Sequence, residues 1–187
     1  MSNSFGTSFR MTIFGQSHAP AIGVVMEGLP AGFEIDMEHL AAFMARRAPG
    51  KGDFSTPRSE KDRPKFISGL AEGKTCGAPV TAVIYNSDQR SGDYAPLRYI
   101  PRPGHADYTA MVKYGLDSRD ASGGGQFSGR LTAPLCIAGG VCLQLLEKHG
   151  VSIAARIINI GGETQPDKMR AALDAAKAEG DSLGGII

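Results

Sequence analysis

Short β-type runs, each closed by glycine, proline or aspartate, constrain this chain more than any other feature. They fall at residues 11–14, 23–27, 65–70, 80–85 and 153–160, so at least one sheet is expected. Helical patterning interrupts them. The clearest helix runs from Met37 to Arg47: Asp36 can cap it, Ile35 and Leu40 can form a hydrophobic staple, and Leu40, Phe43 and Met44 share one face. Pro49-Gly50 stops it. A second helix begins near Thr132 to Pro134, where proline suits a first turn, and runs to Lys148 and His149 before Gly150. Gly139-Gly140 inside it predicts a close packing contact. An alanine-rich third helix spans residues 167–179, and residues 182–187 open as a strand. The chain stops there without a turn signal, which reads as one portion of a longer domain.

With 187 residues, 42% of them apolar, the chain is long enough for one compact domain, expected over 1–187. Its 20 Lys and Arg against 19 Asp and Glu leave a net charge of +1. No overall field then draws nucleic acid or an anionic membrane, and any anion must be recognised locally. The apolar stretches read as shorter than the roughly 18 residues of a spanning helix, and the first ten residues lack a signal-peptide core, so a cytoplasmic protein is expected. Cys76, Cys136 and Cys142 form no C-x-x-C pair. They are expected as buried small hydrophobes rather than as disulfides or metal ligands.

Four loops carry the unusual chemistry. The first is Gly15-Gln16-Ser17-His18, after the first β run; a histidine beside a hydroxyl at a strand end suits proton transfer, though a structural histidine is the plainer reading. The second, Arg46-Arg47-Ala48-Pro49-Gly50-Lys51-Gly52-Asp53, gathers cations with Ser55, Thr56 and Arg58 nearby. Guanidinium forks there match phosphate or carboxylate oxygens, and a solvated basic helix end is the alternative. In the third, Pro101-Arg102-Pro103-Gly104-His105-Ala106-Asp107-Tyr108, two prolines stiffen the ribbon that presents His105, with Arg102 and Asp107 able to set its charge and tautomer.

The fourth loop, from Ser122 to Thr132, holds Gly123, Gly124 and Gly125, then Gln126, Phe127, Ser128, Gly129 and Arg130, and leads into a helix N-terminus. Its glycines allow close backbone approach, and free N–H groups there suit an anion. It is not a P-loop, because Gly-Lys-Ser/Thr is missing. His39 and His149 sit in the first and last turns of predicted helices and are read as surface or capping residues. No spacing predicts a metal site.

In order, Phe14-Gly15-Gln16-Ser17-His18, Arg46-Arg47-Ala48-Pro49-Gly50, Arg102-Pro103-Gly104-His105-Ala106-Asp107-Tyr108-Thr109, Gly123-Gly124-Gly125 and Phe127-Ser128-Gly129-Arg130-Leu131-Thr132-Ala133-Pro134 resemble the chorismate synthase family. The resemblance covers essentially the whole chain, as the N-terminal portion of longer members. Gln16 stands where the family carries an acid, Ala19 where it carries a glycine, and Ser122 where an arginine is common. The resemblance implies an α+β fold, a β-α-β sandwich of antiparallel sheets layered with helices, in an enzyme that is a homotetramer when full length. It implies reduced FMN as cofactor, reduced by NADPH or an external donor, and 5-enolpyruvylshikimate 3-phosphate as substrate.

Residue by residue, it makes His18 and His105 the catalytic imidazoles, and Arg47, Arg130, Ser17 and Arg46 the substrate-binding residues. Gln126, Phe127, Ser128 and Gly125 become the flavin-contacting stretch. Two other classes stay open at this point: a non-catalytic flavin- or anion-binding module, and a phosphatase-like hydrolase on the same phosphate site.

Overall fold

The computed structural model describes residues 3–47, 62–86, 100–115 and 124–187. Lys51, Gly52, Asp53, Ser55, Thr56 and Arg58 of the second loop, and Ser122 and Gly123 of the fourth, lie outside them. The chain divides into two compact units, Met1–His149 and Gly150–Ile187.

In the first unit a five-stranded antiparallel sheet has the order β1-β2-β3-β7-β4, from β1 (Ser4–Gly6), β2 (Arg10–Gly15), β3 (Ala21–Glu27), β4 (Lys65–Ser68) and β7 (Val80–Tyr85). A small hairpin joins β5 (Leu70–Ala71) to β6 (Lys74–Thr75). The expected run at 65–70 breaks at Gly69, whose φ of 85° leaves no room for a Cβ against the Val80 backbone. Residue period two sorts the sheet: Ile22, Val24 and Met26 stand opposite Ile84, Ala82 and Val80, and all six are buried. Each fully buried Ile or Met contributes about 1.5–3 kcal/mol.

Two helices cover that face, α1 (Met37–Arg47) and α3 (Thr132–Lys148), supplying Leu40, Met44, Ile137, Ala138 and Val141 to the core. The cap is as expected: the Asp36 carboxylate accepts from the N–H groups of Glu38 and His39, each at 2.9 Å. Ile35 and Leu40 are both buried in the same core. Gln144 of α3 grips the Asp36 backbone from both sides, accepting from its N–H at 2.8 Å and donating to its carbonyl at 3.0 Å. The other end of α1 meets the start of α3 through Arg47 and Thr132, so the two helices run antiparallel. A Cβ on Gly140 would lie 2.6 Å from Leu40 Cδ1, so this glycine sets the close approach of the helices, while Gly139 faces open space.

Two expectations are corrected by α3. Gly129–Lys148 is long and apolar enough to cross a membrane by length and composition, with mean hydropathy 1.4; the apolarity serves packing, because its buried residues lie against the sheet and α1. Cys136 and Cys142 on this helix are half-buried, and burial pushes both thiols up from their ordinary value. Cys76, by contrast, is exposed.

Residues 100–115 form a ribbon and then a helix that the sequence reading missed, α2 (Asp107–Tyr114), closed by Gly115 at φ 87°. In the second unit α4 (Pro166–Glu179) begins on proline and ends on Gly180 in the left-handed region. The strand expected over 153–160 shortens to β8 (Asn159–Ile160), because pairing needs a partner and β9 (Gly185–Ile186) supplies two residues. Antiparallel sheets layered with helices make the fold α+β, as the resemblance implies.

Candidate active site

The His18 turn is built by the end of one strand and the start of the next. Gly15 closes β2 at φ 99°, where a Cβ would fall 2.5 Å from the Ala21 carbonyl oxygen, so only glycine fits. The chain then turns through Gln16–Ala19, with the Ala19 N–H on the Gln16 carbonyl at 3.1 Å, and re-enters the sheet at Ala21. Ser17 is buried, its hydroxyl shares a 3.0 Å hydrogen bond with His18 Nδ1, and its N–H donates to the Gly125 carbonyl at 3.2 Å. That last bond fastens the glycine-rich loop to the histidine turn.

Asn86 braces the turn from the end of β7. Its amide donates to the carbonyls of Gln16 (3.2 Å) and Ala19 (2.7 Å), and its own N–H donates to Pro20 O at 3.0 Å. Because the brace uses backbone carbonyls, the side-chain departures at Gln16 and Ala19 leave it intact. The remaining face of the amide, Oδ1, accepts from Arg130 Nε at 3.3 Å.

Arg130 is 6% exposed, and a lone buried guanidinium would be costly. Asp62, equally buried, offsets it: one carboxylate oxygen accepts from Arg130 Nη1 and the other from Arg47 Nη1. Arg47, in the last turn of α1, also donates through Nε to the Thr132 hydroxyl at 3.2 Å and through Nη2 to the Gly129 carbonyl at 3.4 Å. Ser128 caps the following turn, its hydroxyl accepting from Arg130 N–H at 3.2 Å. One carboxylate is thus shared between two guanidiniums, and Asn86 ties them to the His18 turn.

A cleft of about 260 Å³ opens next to this cluster, lined by Ile13, Gly15, Gln126, Ser128, Leu131 and Thr132 among others. Apolar walls with a few hydroxyl and amide groups suit a largely apolar small molecule oriented by a few polar contacts. Gln126 and Ser128 of the expected flavin stretch thus line it; Gly125 is buried behind, and the Phe127 ring is 42% exposed.

Arg46 goes elsewhere. It is exposed, its guanidinium 5.6 Å from the centre of the Phe43 ring. Successive helix residues point about 100° apart, so of two adjacent arginines only Arg47 reaches Asp62.

His105 has partners of its own. Its Nδ1 lies 2.7 Å from Asp107 Oδ1, while Arg102 grips the same carboxylate through its N–H at 3.0 Å, Nε at 2.8 Å and Nη2 at 3.1 Å. These bonds from Arg102, outweighing the opposing effect of burial, hold Asp107 well below the usual carboxylate range. Arg102 Nη2 is 3.3 and 3.4 Å from the two ring nitrogens, so the guanidinium lies across the imidazole rather than in line with one nitrogen. With Nδ1–H donating to the Asp107 carboxylate, Nε2 of the neutral ring is the nitrogen left to take up and release a proton.

The structure therefore joins three of the four loops through named contacts, those of His18, Arg47 and Gly125–Arg130, and gives His105 a local cluster. Asp62 and Asn86 were missed in the sequence. Asp62 sits in an unremarkable charged run; Asn86, directly after a strand, occupies the kind of position that singled out His18. His39 is exposed, 3.9 Å from Glu147, and His149 is an exposed helix end. Among the described residues no group of His, Cys, Asp or Glu is arranged to hold a metal ion.

The sequence model of the chorismate synthase family matches residues 9–187. The chain is 50% identical over 161 residues to the chorismate synthase of Lancefieldella parvula, covering 86% of this chain and 42% of that protein. It is 42% identical over 210 residues to that of Porphyromonas gingivalis, covering 99% and 56%. A crystal structure of chorismate synthase shares the fold, with a TM-score of 0.69 at 22% identity, covering 95% of this chain and 55% of the other. The chain spans about half the length of the relatives it matches. By sequence along nearly its whole length, this chain belongs to the chorismate synthase family.

Proposed function

We propose that this chain is the N-terminal portion of a lyase. Its reaction is the anti-1,4-elimination of phosphate from 5-enolpyruvylshikimate 3-phosphate to give chorismate, with reduced FMN as cofactor. The observation that carries the reading is the tying of the His18 turn, the Arg47–Asp62–Arg130 cluster and the Gly125–Ser128 turn into one network. A substrate with two carboxylates and a phosphate needs cations gathered locally in a chain of net charge +1, and the network provides them. A departing phosphate needs a proton donor, and the turn that carries His18 is tied to Arg130 through Asn86.

Arg47 and Arg130 supply positive charge for the substrate anions, and the Ser17 hydroxyl orients the His18 ring through Nδ1. Gln126 and Ser128 would hold FMN along the cleft, with Gly125 and Phe127 in the same turn; when bound, the reduced ring supplies the electron density the elimination uses, with no net oxidation. His105 carries protons on the cofactor side of the site: Asp107 holds its Nδ1–H, so Nε2 takes up and releases the proton. The complete enzyme is read as a cytoplasmic homotetramer, as the family resemblance implies, with NADPH or an external donor reducing the flavin.

The test is anaerobic turnover by the protein expressed from its complete reading frame. With reduced FMN and substrate, phosphate and chorismate should appear together in equal amounts. Phosphate release without flavin would replace the reading with a hydrolase. Binding of FMN and substrate without turnover would replace it with a binding module.

A further inference from the structure

We propose that Asp62 is a positioning residue for the anion site: it fixes the spacing and orientation of the Arg47 and Arg130 guanidiniums that receive the substrate. The inference rests on the proposed function and deepens it.

The geometry is unusual for a mere surface ion pair. The carboxylate is 2% exposed at the side chain, and its two oxygens go to two different arginines, one in the last turn of α1 and the other preceding α3. Two guanidiniums brought into one pocket repel each other, and a buried carboxylate between them converts that repulsion into a fixed three-body arrangement. Each arginine is then locked by neutral acceptors on its far side: Thr132 and the Gly129 carbonyl for Arg47, Asn86 for Arg130. Asn86 also holds the His18 turn, so the placement of the arginines and that of the imidazole share one support. Preorganisation of this kind lowers the ordering cost of binding and does little to the chemical step itself.

The test compares Asp62→Asn and Asp62→Glu with wild type in the complete enzyme, under anaerobic turnover with reduced FMN. Asp62→Glu keeps the charge that Arg130 requires but shifts the carboxylate by one methylene, so it remains informative if Asp62→Asn does not fold. For the folded variants the expected result is KM for the phosphorylated substrate raised about tenfold, the loss of one charge-assisted contact, with kcat within about threefold of wild type. Wild-type KM in Asp62→Glu overturns the proposal. So does a fall in KM with tighter inhibition by inorganic phosphate, which would make Asp62 a competing anion instead. If wild type itself turns over no substrate, the functional reading fails and takes this proposal with it; if wild type is active and the variants match it, only this proposal fails.

Discussion

The two candidate catalytic histidines, His18 and His105, are held in opposite ways. His105 draws its partners from within its own segment, Arg102 three residues before it and Asp107 two after. His18 rests on groups brought from the length of the first unit: Asn86, Gly125 and, through Asn86, Arg130 and Asp62. A locally built cluster needs only a stiff ribbon, which Pro101 and Pro103 provide. A cluster assembled over long range needs the sheet and both core helices to be in place first, so its integrity reports on the whole fold.

The comparison is broken most sharply by removing the rings. His18→Ala and His105→Ala in the complete enzyme should each lower kcat by at least about a hundredfold, a typical general-acid contribution, measured as anaerobic product formation. Near-normal turnover in either variant removes that imidazole from the mechanism. A smaller effect follows from touching only a support: Asp107→Asn should cost roughly tenfold in kcat, because Nδ1 of His105 loses the carboxylate that fixes its tautomer. A loss as large as that of His105→Ala would mean that Asp107 takes part directly.

Acid probes the local cluster through Asp107. The Asp107 carboxyl titrates below its unfolded value of about 3.9, so its contribution to stability is fully present above that pH and is lost as pH falls toward its folded value. Hydrogen-exchange protection of the α2 amides should therefore drop below about pH 4 in wild type, and Asp107→Asn should show no such drop. The smallest effect tests the long-range side: Asp36→Ala removes the α1 cap and should cost about 1 kcal/mol in chemical denaturation, with the denaturant slope unchanged.

What could be read from the sequence follows the same division. The helix Met37–Arg47 and its Asp36 cap were legible because both depend on residues within four positions of each other. So was the Arg102–His105–Asp107 cluster. The strand expected over 153–160 was cut to Asn159–Ile160, since β periodicity shows which residues can pair but supplies no partner. The helix Asp107–Tyr114 was hidden by the Pro- and Gly-rich run before it, although Asp107 in the first turn and Gly115 after the last were signals of it. Asp62 lies 68 residues from Arg130 and 15 from Arg47, and no local pattern marks a carboxylate that will be buried between them. Arg46 and Arg47 were named together because sequence adjacency conceals the turn of the helix that separates them.

In the proposed function both imidazoles address one bound ligand. The direct measurement is an NMR titration of the complete protein carrying isotope-labelled histidine, with FMN present and 5-enolpyruvylshikimate 3-phosphate added stepwise, the resonances assigned from His18→Ala and His105→Ala. The ring nitrogens of His18 and His105 should shift together and saturate at the same substrate concentration. A response from one ring while the other stays unmoved would contradict it.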